Sequence, residues 1–346
     1  MSASSNAVVS RQEAISNGEF ERLEIPKLSK YAICNLRGGI GKTTIAFNLT
    51  YYADNILAVD TCPQGNLSYH FDNEYYTKKM VTVKDMIFPY IIPGYALPDH
   101  VATYIGATNS FFEGKNAFQI PSSPDLYMLP SQLVSALNLS QSLQPDERRA
   151  NEERIIQCLK TEIDKSMAES ELNKCIIDTS PFFAGATQLA WNAVDALIIP
   201  VRTDQQSVSA LEMIINTIKS SSSEYRKYLP GGSDTVKIQM VILTHCGWST
   251  VPGSRNVPNS QTMIYLTKIS EILSQNRTLL TTNNPENHIC LLDDFLGSGR
   301  ISSALSKPLE LLRPGESRTI DRQRVSVNDS VTKCKNQLKY IYECIW

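Results

Sequence analysis

The chain has 346 residues, 42% apolar and 20% charged, with 33 Lys and Arg against 35 Asp and Glu, a net charge of −2. That balance describes a globular chain of one large or two modest domains, not a disordered one. It excludes a global basic field, so any nucleic-acid binding needs a local patch, and no run approaches 18 consecutive apolar residues, which excludes a membrane-spanning helix.

Residues 1–27 are polar and rich in Ser, Asn and Glu, and are expected to form a flexible N-terminal tail with at most a short helix near Arg11–Leu23. Tyr31–Asn35 is a short apolar run ending in a glycine cluster, the pattern of a buried strand entering a tight loop. Thr43–Tyr52 has helical spacing, with Ile45, Phe47, Leu49 and Tyr52 as packing positions, and Ile56–Asp60 reads as a second buried strand. Strand, helix and strand make a βαβ unit with a right-handed crossover. Leu126–Leu129, Cys175–Asp178, Ala196–Ile199 and Ile238–Leu243 are also short and apolar on both faces, as strands of a covered parallel sheet are. Helical stretches separate them at Asn151–Ser170 and Ser207–Ser220, whereas 72–125 has weak periodicity and is expected to be an insertion of loops and short helices. Ser220–Ser223 and the run Pro230-Gly231-Gly232-Ser233 read as a surface connection. The expected fold is one α/β domain over 28–346, with a mostly parallel twisted sheet, helices on both faces and a basic helical part from about residue 300.

Eight cysteines show no C-x-x-C spacing, which argues against a zinc ribbon or a thioredoxin-like motif. Several lie in apolar runs, where a reduced thiol behaves as a small hydrophobe. The first residues lack the charged-then-apolar order of a secretory signal, so the expected setting is reducing and cytoplasmic.

The sharpest signal is Leu36-Arg37-Gly38-Gly39-Ile40-Gly41-Lys42-Thr43-Thr44, between a strand and a helix. Glycines let backbone N–H groups approach phosphate oxygens, and a helix start adds partial positive charge beside the anion. Lys42 would supply a mobile point charge for the β and γ phosphates of a nucleotide, and the Thr43 hydroxyl would complete Mg²⁺ coordination. Leu36 stands where the ordinary motif has its first glycine, so this is a deviant form, basic-Gly-Gly-x-Gly-Lys-Thr. In the notation of this loop, Gly38, Gly39, Ile40, Gly41, Lys42, Thr43 and Thr44 form the expected nucleotide cradle.

With these motifs the sequence resembles the ParA/MinD family of deviant P-loop ATPases, most closely its ParA branch. Asp60-Thr61-Cys62-Pro63-Gln64-Gly65-Asn66 resembles the branch's D-x-D-P-Q-G-N segment, Asp125–Ser131 its following strand and turn, Ile176–Pro181 its I-I-D-T-P-P segment, and Asn192–Val201 and Val241–Thr244 later strands. The likeness runs over about 28–250 and loosens beyond. It implies a Mg·ATP-binding protein that forms a nucleotide sandwich homodimer, binds nonspecific DNA through its C-terminal part, works with a ParB-like or adaptor protein and is nucleoid-associated when bound to DNA. It implies that Lys42, Arg37 and Asp60 carry catalysis and that Thr43, Asp60 and Asp178 hold the metal. Arg37 stands where the family usually has a lysine that reaches the partner copy's phosphates; a retained contact would be bidentate.

Cys62 is the larger departure, because the family places there the aspartate that orients the attacking water. A thiol cannot replace a carboxylate in that work, and losing a positioned base costs roughly 10²- to 10⁴-fold. The expectation is a weak ATPase at most. Gln64 and Asn66 are expected as turn and dimer residues; Thr244 and His245, at the end of a later strand, are candidates to touch adenine, with a surface or packing role the favoured reading for His245. From Arg300 to Trp346 there are nine Lys and Arg against five Asp and Glu, net +4, which supports a phosphate-contacting patch. Val331, Cys334, Leu338, Ile341 and Ile345 recur at helical spacing; a MinD-like membrane helix has this pattern, but so does a core-packed one, which is the favoured reading. A degenerate ATP-binding regulator with a protein partner remains the alternative function. An amide or cobyrinate-type ligase and an iron–sulfur scaffold are disfavoured by the D-x-x-P-Q-G-N segment and by the cysteine positions respectively.

Overall fold

A computed structural model describes residues 3–183, 185–229, 234–251 and 256–346. The expected connection at Pro230-Gly231-Gly232-Ser233 lies outside the described residues. In chain order, the strands of the main sheet are β1 Lys30–Ile33, β2 Ile56–Asp60, β3 Thr103–Tyr104, β4 Ala117–Ile120, β5 Lys174–Asp178, β6 Ala196–Arg202, β7 Lys237–Cys246 and β8 Ile289–Asp293. They are ordered β3-β4-β2-β5-β1-β6-β7-β8, and every pairing is parallel except that of β3 with β4. A separate antiparallel ribbon pairs β9 Ser317–Ile320 with β10 Gln323–Ser326.

The helices are α1 Ala3–Asn17, α2 Lys42–Tyr52, α3 Asn66–Phe71, α4 Val83–Ile91, α5 Leu129–Ser140, α6 Pro145–Ile156, α7 Cys158–Glu169, α8 Ala186–Ala193, α9 Gln205–Lys219, α10 Glu224–Lys227, α11 Ser260–Gln275, α12 Leu296–Leu305 and α13 Val331–Ile345. Alternate strand residues point to opposite faces, and the core divides accordingly. Ala32, Leu57, Ile177, Leu197 and Leu243 pack under α4–α9 and α11. Tyr31, Ile33, Ala58, Ile176, Ile198 and Ile242 pack under α2, α3, α12 and α13. This is the two-sided α/β sheet that the apolar strands predict.

Four expectations need correction. The N-terminal tail is not loose: α1 lies across the β8 margin, with Val8 buried in one core layer and Ile15 in the other. The Arg11 guanidinium donates to the carbonyl of Glu286 at 2.7 Å and to that of Ile289, capping backbone acceptors beside the edge strand. Leu126–Leu129 is helical, spanning the end of a 3₁₀ turn at Pro124–Tyr127 and the start of α5, because Pro124 and Pro130 both sit in helix-starting positions. The segment 72–125 is more than loops, since it supplies β3 and β4 at the other sheet margin. The single helix expected over Asn151–Ser170 is two, α6 and α7, broken at Gln157.

All eight cysteines are free and buried. No helix among the described residues is long and apolar enough to cross a membrane. The apolar face of α13 is spent in the core, with Val331, Cys334, Leu338, Ile341 and Ile345 each at most 1% exposed.

Candidate functional site

The βαβ start sets the site. β1 ends at Ile33 in the middle of the sheet, and the chain turns through the glycine loop into α2. Gly39 and Gly41 have φ of 70° and 93°, which L-residues adopt at a cost, and no protein atom lies within 4 Å of the Cβ either would carry. The loop therefore faces open space with its amides at the head of α2. Asn35 anchors its entry, Nδ2 donating to the carbonyl of Pro200 at 2.7 Å. The Thr244 hydroxyl donates to the carbonyl of Ile40 at 3.3 Å, so that residue braces the loop.

Gly38 to Thr44, Cys62, Gln64, Asn66, Thr179 and Pro181 enclose a cavity of about 200 Å³. This is smaller than the ~300–1,000 Å³ of pockets that bury a whole drug-sized ligand, and suits the phosphate end of a nucleotide. Lys42 is buried, which pulls its pKa below the usual lysine range while Asp178 opposes the shift. Its Nζ donates to the carbonyls of Arg37 at 2.8 Å and Asn35 at 3.2 Å.

Asp60 and Asp178 close adjacent strands, paired in register across β2 and β5. Both are about 1% exposed, and burial raises both carboxyl pKa values, with the Asp60 charge adding to the rise at Asp178. Their surroundings differ. Asp60 accepts from the backbone N of Cys62 at 3.0 Å and from the N and Oγ of Ser68 at 2.9 and 2.8 Å, so it braces the next loop and α3. Asp178 Oδ2 accepts from the Thr43 hydroxyl at 2.6 Å, while Oδ1 is buried without a partner. An orphaned buried carboxylate oxygen beside a hydroxyl fits a hard divalent cation, and phosphate oxygens and waters must supply most of its shell. Among the described residues no cluster of three or more His, Cys, Asp or Glu could hold a metal alone.

The loop after β2 is built tightly. The Cys62 thiol lines the cavity, and burial followed by the Asp60 charge pushes its pKa up to about 11, so it is protonated at neutral pH. Its carbonyl accepts from Ser122 Oγ at 2.6 Å. Gly65 has φ of 63°, and a Cβ there would stand 1.5 Å from Tyr75 Oη. The Tyr76 hydroxyl donates to the carbonyl of Gln64 at 2.6 Å.

Arg37 does not line the cavity and is partly exposed. Its guanidinium pairs with Asp204 and donates to Ser207 Oγ at 3.1 Å. Asp204 caps α9, its Oδ1 accepting from Ser207 N at 2.9 Å, and these hydrogen bonds and the guanidinium outweigh partial burial to hold its carboxyl below the usual range. His245 is half-buried with φ of 57° and shares a 3.2 Å hydrogen bond with Thr244, a packing role. Sequence reasoning missed Asp204, Ser207, Ser68, Ser122, Tyr75 and Tyr76. Only the Asp204-x-x-Ser207 spacing carries a readable signal, that of a helix start.

A central parallel sheet, a deviant glycine loop and two carboxylates at the adjoining strand ends define a P-loop nucleotide-binding protein. The model of the AAA domain family matches residues 29–230, more than half the chain, and the chain belongs to that family as a ParA/MinD-type P-loop ATPase. The sporulation initiation inhibitor protein Soj of Bacillus subtilis (strain 168) is 26% identical over 192 residues, 54% of this chain and 64% of Soj. The match thus spans less than two thirds of that relative's length. The solved structure of apo McdA from Cyanothece is 19% identical over 82% of this chain and 92% of McdA, with a TM-score of 0.57. An ATP complex of a McdA variant is 19% identical over 82% of this chain and 89% of its own, with a TM-score of 0.55. At these identities the structural likeness establishes the fold.

Proposed function

We propose that the chain is an ATP-dependent dimerising switch that serves DNA partition or cargo positioning and hydrolyses ATP slowly. The observation that carries this reading is the contrast at one cavity: an open, glycine-built phosphate cradle faced by a neutral thiol at Cys62. Gly38–Thr44 present backbone donors to the triphosphate, and Lys42 leaves the loop carbonyls for the β and γ phosphates. Thr43 and Asp178 would hold Mg²⁺, with Asp60 acting through waters and through the loop it braces. Bound Mg²⁺ neutralises charge on the phosphates. Cys62 cannot accept a proton from an attacking water, so bound ATP persists. Arg37 exchanges Asp204 for the phosphates of a second copy, and this exchange links nucleotide to dimer.

DNA contact through the basic C-terminal part, and release by a ParB-like or adaptor protein, complete the proposal. The core-buried face of α13 weighs against a membrane helix. Light scattering without nucleotide, with ADP and with Mg·ATP, run beside phosphate-release assays, tests the reading. A dimer with Mg·ATP alone and slow release is expected; a mass indifferent to nucleotide overturns it.

A further inference from the structure

The ribbon β9–β10 is a sheet of its own, outside the eight-stranded one, and lies beyond the residues matched by the family model; only Val325, with Ile320 beside it, reaches the core layer under α12 and α13. Its base is fixed: Val325 is buried, and Gly297 in the first turn of α12 approaches so closely that a Cβ there would stand 2.5 Å from the carbonyl of Ser326. Because α12 follows β8 directly, this base sits at the carboxyl edge of the parallel sheet, the edge that carries the phosphate loop. The rest projects, with Arg313, Arg318, Arg322 and Arg324 exposed and Arg300 of α12 alongside, its guanidinium reaching Gln323 Oε1 at 3.5 Å. Two acids answer them: Glu316, which pairs with Lys307 at 3.5 Å and Arg318 at 3.2 Å, and the exposed Asp321. Arg322 and Arg324 make no ion pair among the described residues.

The tip adds an independent observation. Ile320 pairs with Gln323, so Asp321 and Arg322 form a two-residue hairpin loop, with φ of 49° and 63°. Such loops strongly favour glycine at the second position, since a side chain there costs roughly 1 kcal/mol. Here an arginine occupies the strained position at the outermost point. Strain held at an exposed tip points to use of the side chain.

Resting on the DNA reading above, we propose that this ribbon is the phosphate-contacting element, with Arg322 and Arg324 touching the backbone of duplex DNA. Two antiparallel strands of four residues, at ~3.4 Å per residue, make a blade short and narrow enough for a groove about 12 Å wide. Its outer face carries Arg324 and Thr319, directly paired, with Ser317 and Ser326 beside them, donors suited to phosphate oxygens.

The test uses the full chain with Mg·ATP and a duplex of random sequence, titrated at several salt concentrations. The double variant R322A/R324A is expected to bind roughly tenfold or more weakly at fixed salt, and the slope of log K against log salt to shrink by about 2. The double variant R322K/R324K keeps the charges and is expected to keep most of the affinity; ATP affinity and the melting curve are expected to match the parent in both. Parental affinity and slope in R322A/R324A overturn the ribbon while leaving the DNA reading intact. A parent chain that binds no duplex with ATP overturns both. Loss of binding to phosphatidylglycerol vesicles with DNA binding unchanged makes the ribbon a lipid contact and overturns the assignment to DNA.

Discussion

Two loops meet at one cavity and are built in opposite ways. The glycine loop, 36–44, keeps its donors free: no protein atom occupies the space beside Gly38, Gly39 or Gly41, Lys42 rests on carbonyls of its own loop, and Asp178 Oδ1 has no partner. The loop after β2 is saturated, with Asp60 taken up by Cys62 and Ser68, the Cys62 carbonyl held by Ser122, and Gly65 pinned beneath Tyr75. One loop waits for a ligand; the other has already formed its bonds. Unpaired groups at a buried site are costly unless something completes them, which supports the proposal that the first loop is the binding half. A braced loop carrying a neutral thiol is poor equipment for activating water, and the difference teaches that binding and turnover can be separated within a single cavity.

The comparison breaks most visibly if the second loop is given a carboxylate. Cys62→Asp is expected to raise phosphate release by roughly 10²-fold or more, measured in single-turnover assays; no increase would mean that the loop's rigidity, not the missing acid, limits turnover. Next in size is Lys42→Ala, which removes the charged donor of the open loop and is expected to weaken ATP binding by about 10²-fold in calorimetry. A smaller effect concerns the orphaned acid. Burial raises the folded-state pKa of Asp178 above its unfolded value, so the ligand-free protein binds more protons folded than unfolded, and this contribution to stability falls as pH rises from the ordinary carboxylate range through the raised value. Asp178→Asn is therefore expected to melt a few degrees above the parent at pH 8, by a smaller margin at pH 5, and nearly level with it only below about pH 4, the ordinary carboxylate range, with Mg·ATP binding weakened. The smallest effect sharpens the role of Arg37. Asp204→Asn removes its charged partner while keeping an acceptor for the α9 cap, and is expected to favour the ATP-bound dimer by a few-fold in light scattering; a weaker dimer would make Asp204 part of the interface.

The binding half was legible because its meaning is local. Nine consecutive residues between a strand and a helix carry the cradle, and Asp60 and Asp178 follow from strands whose apolar runs place their ends. The braces were not legible, because Arg37 and Asp204 lie 167 positions apart and Ser122 and Cys62 lie 60 apart, and no short-range pattern encodes such pairs. The N-terminal helix was expected too late and too short, near Arg11–Leu23 against the observed Ala3–Asn17, because it has almost no amphipathic stripe: it is gripped from both sheet faces along its length, so its apolar residues do not fall on one side. Leu126–Leu129 was misread because a run of four apolar residues is as short as a strand, and the prolines flanking it were the better guide.

α1 also governs how copies of the chain can meet. With that helix laid over β8, and with the opposite margin reduced to the two antiparallel residues of β3, neither flank of the sheet offers a ladder on which another molecule could continue it. Side-by-side growth into a filament by strand exchange is closed off. In the proposed switch, assembly is then left to the end of the molecule that carries the glycine loop, so copy number becomes a matter of chemistry and not of stickiness.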